Sequence, residues 1–344
     1  MKKVGPQELK KLRTQMPVFD VRTPAEYHKG HIPGAINLPL FSNEERAVIG
    51  TLYKQQGKET AVEKGLELVG PKLSALVAKA KAEAIDKRVA LHCWRGGMRS
   101  SSVAWLFETA GLEATVLEGG YKAYRRMVLD SFENQKFRFV VLGGRTGSGK
   151  TMILHALRHL DQQVVDLEGL ANHRGSAFGA IGQQPQPTTE HFENKLHDAL
   201  SQLNPRQITW IENESRSIGR VYLPTGFWKQ KIHAPLINIE IPSDERIKIL
   251  LDMYDIAGKK EALREAFVRI RKRLGGQHVK AALEALDRDD LAAAARIALR
   301  YYDKTYQYGL ETSQASRILH LRFDRFDPTA IARNLIQAAK TLPG

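Results

Sequence analysis

The chain has 344 residues, 42% of them hydrophobic and 26% charged, which bounds it as a globular protein long enough for two domains. Its one cysteine excludes an internal disulfide and a cysteine-rich zinc site. Apolar runs such as Phe139–Leu142 are too short to cross a bilayer as a helix, and the basic start MKKVGPQELKKL has no apolar stretch behind it, so the expected compartment is cytoplasmic.

A net charge of +14 calls for a polyanionic partner, because Lys and Arg that neutralise phosphates release condensed counterions. The excess is even: residues 1–130 hold 21 Lys and Arg against 14 Asp and Glu, and the remainder 31 against 24. A nucleic acid touching both parts fits this better than one docked on a basic tail. A protein that is merely basic has the same composition.

In chain order, Pro17–Arg22 (PVFDVR) reads as a strand, and Thr23–Leu40 as a loop punctuated by Pro24, Gly30, Pro33 and Gly34. Residues 59–84 have helical periodicity. Lys87–Cys93 (KRVALHC) is a strand that delivers the thiol to its carboxyl end, and Ser100–Gly111 a helix that Gly111 stops. Ala114–Gly120 is a further strand and Tyr121–Phe132 a closing helix. A second unit opens at Lys136–Gly144, with later strands expected within 163–169, 207–215 and 235–242. From Ser243 onward the pattern is helical almost throughout, most clearly over residues 281–306. Strands alternating with helices predict an α/β fold with parallel sheets, whose sites lie at the carboxyl ends of strands. The expected domains are 1–131 and 136–344, the second ending in a helical part at about 245–344.

A cysteine between a strand and a glycine loop has a physical consequence. The loop amides of HCWRGGMRSS can point inward, the following helix N-terminus adds partial positive charge, and Arg95 and Arg99 add full charges. All three favour thiolate, making Cys93 a candidate nucleophile or chalcogen carrier; the alternative is a buried, inert thiol.

The segment DVRTPAEYHKGHIPGAINLPL, followed by this strand–Cys–loop–helix, resembles a rhodanese domain over most of residues 5–130. Asp20, Arg22, Glu26, His31, Pro33, Gly34, Ala35 and Asn37 match that family's entry motif, and Cys93 matches its persulfide carrier. Arg99 stands six positions after Cys93, against five in common rhodaneses, so HCWRGGMR also fits the His-Cys-x5-Arg pattern of cysteine phosphatases. One more residue widens the ring of amides toward phosphate-sized anions.

GRTGSGKT, Gly144 to Thr151, fits the P-loop pattern G-x-x-x-x-G-K-[ST] between an apolar strand and a helix. Gly144, Thr146, Gly147, Ser148 and Gly149 offer amides to phosphate, Lys150 reaches the terminal phosphates, and the Thr151 hydroxyl is placed to ligate Mg²⁺. A nucleoside triphosphate is the ordinary ligand, yet the loop reads phosphates rather than a base. Asp166, Glu168, His173 and Arg174 follow a strand where a kinase-like fold holds its acceptor. Glu212 and Glu214 end another, at positions suited to holding Mg²⁺ or ordering water; capping or solvated roles are the alternative for both groups. The basic stretch 259–274 offers Arg264, Arg269, Arg271, Lys272 and Arg273 to a phosphate backbone, or simply to solvent.

A rhodanese-like domain followed by a P-loop domain resembles the bacterial tRNA 2-selenouridine synthases, and DLEGLANHRGSAFG, GQQPQPTTEHFEN and IENESRSIG match further signatures of that family. The resemblance implies an enzyme acting on wobble 2-thiouridine in tRNA. It geranylates the sulfur with geranyl diphosphate, then replaces the S-geranyl group with selenium from selenophosphate. The chemistry of these steps assigns geranyl diphosphate to the P-loop, where Lys150, the loop amides and Mg²⁺ would stabilise its departure, and the widened loop assigns selenium to Cys93 as a perselenide; a selenophosphate-producing enzyme is a further expected partner. Trp94, Trp210, Tyr222, Phe227 and Trp228 are the aromatics available to stack on a splayed base. Two other readings use the same residues. One is a sulfurtransferase or cysteine phosphatase driven by a nucleotide-hydrolysing domain; the other is a nucleotide-switched RNA-binding adaptor with an inert thiol.

Overall fold

The computed structural model describes residues 1–253 and 259–342, and the chain divides into two compact units. The first comprises Met1–Ser131 with Glu193–Lys195, and the second Phe132–Phe192 with Leu196–Gly344.

The first unit runs β1 (Lys2–Val4), α1 (Pro6–Leu12), β2 (Val18–Asp20), α2 (Pro24–Lys29), β3 (Ile36–Asn37), α3 (Asn43–Gln55), α4 (Lys58–Val69), α5 (Leu73–Glu83), β4 (Arg88–His92), α6 (Met98–Thr109), β5 (Glu113–Leu117) and α7 (Gly120–Asn134). Its strands form a parallel sheet in the order β1-β5-β4-β2-β3. The fully buried strand residues Phe19, Val89, Leu91 and Val116 pack on Val103 and Phe107 of α6, which fixes where β4 ends and where the thiol emerges. The boundary between units falls in the last turns of α7 rather than in a linker. Part of the expected loop Thr23–Leu40 is helix. Thr23 and Glu26 form a reciprocal capping box that starts α2, a signal outweighed in the sequence by the surrounding Pro and Gly.

The second unit runs β6 (Arg138–Gly144), α8 (Lys150–His159), β7 (Gln163–Val165), α9 (Leu167–Ala171), α10 (Thr189–Leu200), β8 (Ile208–Glu212), β9 (Ser217–Ile218), β10 (Val221–Tyr222), α11 (Thr225–His233), β11 (Leu236–Glu240) and α12 (Ser243–Met253). It continues with α13 (Lys260–Arg269), α14 (Arg271–Leu274), α15 (Gly276–Asp287), α16 (Leu291–Glu311), β12 (Ile318–Arg322) and α17 (Pro328–Ala339). The parallel sheet is ordered β12-β11-β6-β8-β7, so β6 lies between β11 and β8 and its carboxyl end opens centrally on one edge. Val140, Leu142, Ile153, Leu157, Trp210 and Ile237 form the core beneath it with Ile331 and Leu335 of α17.

The reading of an almost wholly helical stretch from Ser243 onward holds apart from one strand, and its residues 254–258 lie outside the described residues. Ile318–Arg322 is a strand that pairs in parallel with β11. Its five residues sit at the sheet edge, half-buried, and are too few to show period two between two helices. Residues 281–306 are two helices, because Asp290 caps α16 by accepting from Ala293 N at 2.9 Å and Asp289 turns with φ of 59°.

Candidate functional sites

Cys93 follows β4 directly, and the chain then turns through Gly96 (φ 65°) into α6. The loop rests on the Gly119–Gly120 turn at the head of α7: Tyr121 N donates to Cys93 O and Lys122 N to Trp94 O, both at 2.9 Å. A side chain at Gly120 would come within 2.5 Å of Cys93 O and 2.8 Å of Arg95 N. The loop therefore has its shape because a backbone passes immediately beneath it.

Cys93 is only 3% exposed, yet it is among the residues that line a cavity of about 1100 Å³. Burial on its own would push the thiol up. The Ser100 hydroxyl 3.3 Å away, the amides of Ser100 and Arg95, and the Arg99 guanidinium outweigh it and hold the thiol below its ordinary value. The cavity combines an apolar floor, including Phe41, Val62 and Leu106, with Arg22, Arg46, Arg95 and Arg99.

Of the two predicted arginines, Arg99 favours the thiolate by its charge, and Arg95 acts through its backbone. Arg99 pairs with Glu26 at 2.8 Å, so part of its charge is already matched. Arg95 is exposed, and its link to the sulfur is its backbone amide rather than its guanidinium. Ser100 was missed as a sulfur partner; its only sequence signal is its place immediately after the arginine of His-Cys-x5-Arg.

The entry-motif residues brace the backbone around the thiol loop, and two of them, Arg22 and Glu26, also line its cavity. Asp20 and Arg22, 0% and 1% exposed, form a bidentate buried pair, and Arg22 also donates to Gly30 O at 2.7 Å and lies 3.8 Å from the Tyr121 ring centroid. Burial tends to raise the Asp20 carboxyl, but His92 and Arg22 hold it below the usual carboxylate range. Asn37 donates to the carbonyls of Asp20 and Arg22 at 3.0 Å. His31 stacks on Tyr27, whose hydroxyl donates to Ala35 O; Pro33 O accepts from Arg13 and Gly34 supplies a φ of 80°.

In the second unit the P-loop joins β6 to α8, with Gly147 and Gly149 at φ of 80° and 71°. Lys150 Nζ donates to Gly144 O at 3.1 Å, and the Thr151 hydroxyl donates to Glu168 Oε2 at 3.0 Å. Ser148 Oγ is buried and without a partner among the described residues. Arg246, 3% exposed, braces the loop by donating to Thr146 O at 3.1 Å while gripping both oxygens of Asp303 at 2.8 Å. No sequence signal marked that brace.

Loop residues 146–151 face a cavity of about 680 Å³, whose wall also includes Glu168, Arg174, Glu214, Lys231 and Arg273. Asp166, His173 and Glu212 are not on that wall. Asp166 caps α9 by accepting from Gly169 N. The His173 ring is wedged so closely that a side chain at Gly179 or Gly219 would meet it at 2.8 Å; burial first, and Arg269 second, lower its proton affinity. Glu212 is fully buried and accepts from Leu167 N at 2.9 Å; burial, then the charges of Asp166 and Glu168, push it well above the carboxylate range. Glu214 is raised by burial and by Glu168, with Lys150 and Lys231 opposing. Lys231, which sequence reading missed, is held down by burial to about 8 despite the pull of Glu214 and Glu212.

Other predictions are redistributed as well. Trp210 and Phe227, 0% and 1% exposed, are core and unavailable for base stacking. Trp94 is on the thiol cavity, Trp228 is on the P-loop cavity, and Tyr222 is exposed. The basic stretch splits into α13 and α14; Arg264 pairs with Asp287 at 2.5 Å, and Arg273 reaches the cavity wall. Among the described residues no helix is long and apolar enough to cross a membrane.

Comparison with known proteins gives two domain matches. Residues 5–127 match the rhodanese-like domain, and residues 137–326 match the tRNA 2-selenouridine synthase AAA domain. Proteins named tRNA 2-selenouridine synthase are similar along most of the chain. That of Sulfurovum sp. (strain NBC37-1) is 39% identical, covering 88% of this chain and 91% of its own. That of Hydrogenovibrio crunogenus is 37% identical over 90% and 93%, and that of Shewanella denitrificans 37% over 87% and 89%.

Proposed function

The chain belongs to the tRNA 2-selenouridine synthase family, and on that premise we propose that it is a transferase converting wobble 2-thiouridine of tRNA to 2-selenouridine through S-geranyl-2-thiouridine. The co-substrates of this reading are geranyl diphosphate and selenophosphate. The observation that carries it is the thiol loop, with Cys93 on a cavity wall under two amides, a hydroxyl and a guanidinium. An inert structural cysteine needs none of these.

In the first step the thiocarbonyl sulfur forms a bond to the allylic carbon of the geranyl group while the carbon–oxygen bond breaks and diphosphate leaves. Lys150 and the P-loop, on the wall of the cavity of about 680 Å³, would meet the charge that accumulates on the departing group. The surroundings fit Mg²⁺: the Thr151 hydroxyl and Glu168 meet at 3.0 Å, and the Glu214 carboxyl lies on the same cavity wall. Thr151 and Glu168 would hold the ion, whose chemistry is to neutralise diphosphate charge.

In the second step selenium adds to C2 and geranyl thiol, a better leaving group than sulfide, departs. Selenophosphate already carries selenium at the selenide level. Holding it on Cys93 as a perselenide would require a two-electron oxidant or the loss of phosphite. The balanced role for the Cys93 loop is to hold the phosphate-shaped donor, with the phosphoryl group passing from selenium to water or to the thiolate.

The test is nucleoside analysis of tRNA incubated with the protein, geranyl diphosphate and selenophosphate. Cys93→Ala should accumulate S-geranyl-2-thiouridine, and Lys150→Ala should leave 2-thiouridine unmodified. Geranylation undiminished by Lys150→Ala would remove the diphosphate from the P-loop. Loss of both steps in Cys93→Ala would reject the division of labour.

A further inference from the structure

Lys231 on α11 is 3% exposed, and its amine donates to Asn213 Oδ1 at 3.2 Å. Among the described residues it has no other hydrogen bond and no carboxylate within ion-pair distance, and the Trp228 ring centroid lies 5.1 Å from Nζ. An ammonium group has three donors, and here it makes one hydrogen bond while Glu214 and Glu212 attract it only from beyond ion-pair distance, so packing alone would be better served by an aliphatic side chain. This amine lies on the wall of the cavity that the P-loop faces. Lys150 and Glu214 line the same cavity, and the charges of both lysines act on the Glu214 carboxyl. A diphosphate brings more negative charge than one lysine matches.

We propose that Lys231 is a second phosphate-contacting cation of the P-loop cavity, donating from the α11 wall to the oxygens of a bound di- or triphosphate end. The assignment rests on the reading of residues 144–151 as a phosphate loop and adds a cation that no motif announces. It also gives Asn213 a role, as the side chain that parks the amine on the cavity wall.

The probe is inorganic pyrophosphate with Mg²⁺, titrated calorimetrically into the full chain. Lys231→Gln should weaken binding by about tenfold or more, the scale of one charge-assisted hydrogen bond, while Lys231→Arg retains affinity within a few-fold. Unchanged affinity in folded Lys231→Gln overturns the proposal. A measurement on the unmodified protein decides the matter if that variant does not fold: amine acetylation followed by peptide mass spectrometry, with and without pyrophosphate. Protection of both Lys150 and Lys231, with the exposed Lys58 unaffected, supports the proposal. Protection of Lys150 alone overturns the Lys231 assignment and leaves the phosphate loop standing; protection of neither overturns both.

Discussion

Replacing Gly120 with alanine tests whether the thiol loop works by its shape. Gly120 sits at φ 59°, where a side chain costs about 1–2 kcal/mol. The added methyl would also come within 2.5 Å of Cys93 O and 2.8 Å of Arg95 N, with Gly96 N nearer still. These neighbours are backbone atoms, which must retreat by roughly 0.5–1 Å to reach ordinary contact, a strain of about 1–3 kcal/mol. The total is about 2–5 kcal/mol, read as a lower urea midpoint. One of the displaced amides, that of Arg95, is aimed at the sulfur, and misplacement on the order of 1 Å lowers a rate by about a hundredfold. Selenation should fall by that factor in the nucleoside assay while geranylation stays near its unmodified rate. A Gly120→Ala protein that alkylates at Cys93 and selenates at the original rates would refute the reasoning, because the loop would then tolerate what its geometry forbids.

Iodoacetamide alkylation of Cys93 should rise with pH about a midpoint below that of an ordinary cysteine, because the donors around the sulfur favour thiolate, and Arg99→Gln should move that midpoint upward. Arg22→Met leaves the buried Asp20 carboxylate unmatched and should cost about 3–5 kcal/mol in urea unfolding, with part of the loss recovered by adding Asp20→Asn. Glu212 binds its proton more tightly folded than unfolded, so its contribution to stability is present near pH 4 and declines as pH rises. Glu212→Gln, which cannot ionise, should match the parent protein near pH 4 and show the higher urea midpoint near pH 8; equal midpoints at both pH values would contradict that assignment.

The sequence by itself determined the α/β alternation, the strand that leads into Cys93, and the phosphate loop at Gly144–Thr151. These follow from side-chain periodicity and from backbone preferences over a few consecutive residues, so neighbours in the chain are sufficient to specify them. Tertiary structure alone decided which groups meet across distance. Glu26 takes up Arg99 from 73 positions away, the Gly119–Gly120 turn lies under the Cys93 loop, and Arg246 reaches back 100 positions to Thr146. It also sent Trp210 and Phe227 to the core, made Ile318–Arg322 an edge strand, and set Lys231 on the cavity wall. Each of these outcomes depends on sheet register and on what burial leaves facing inward, and neither is encoded within the span of a local motif.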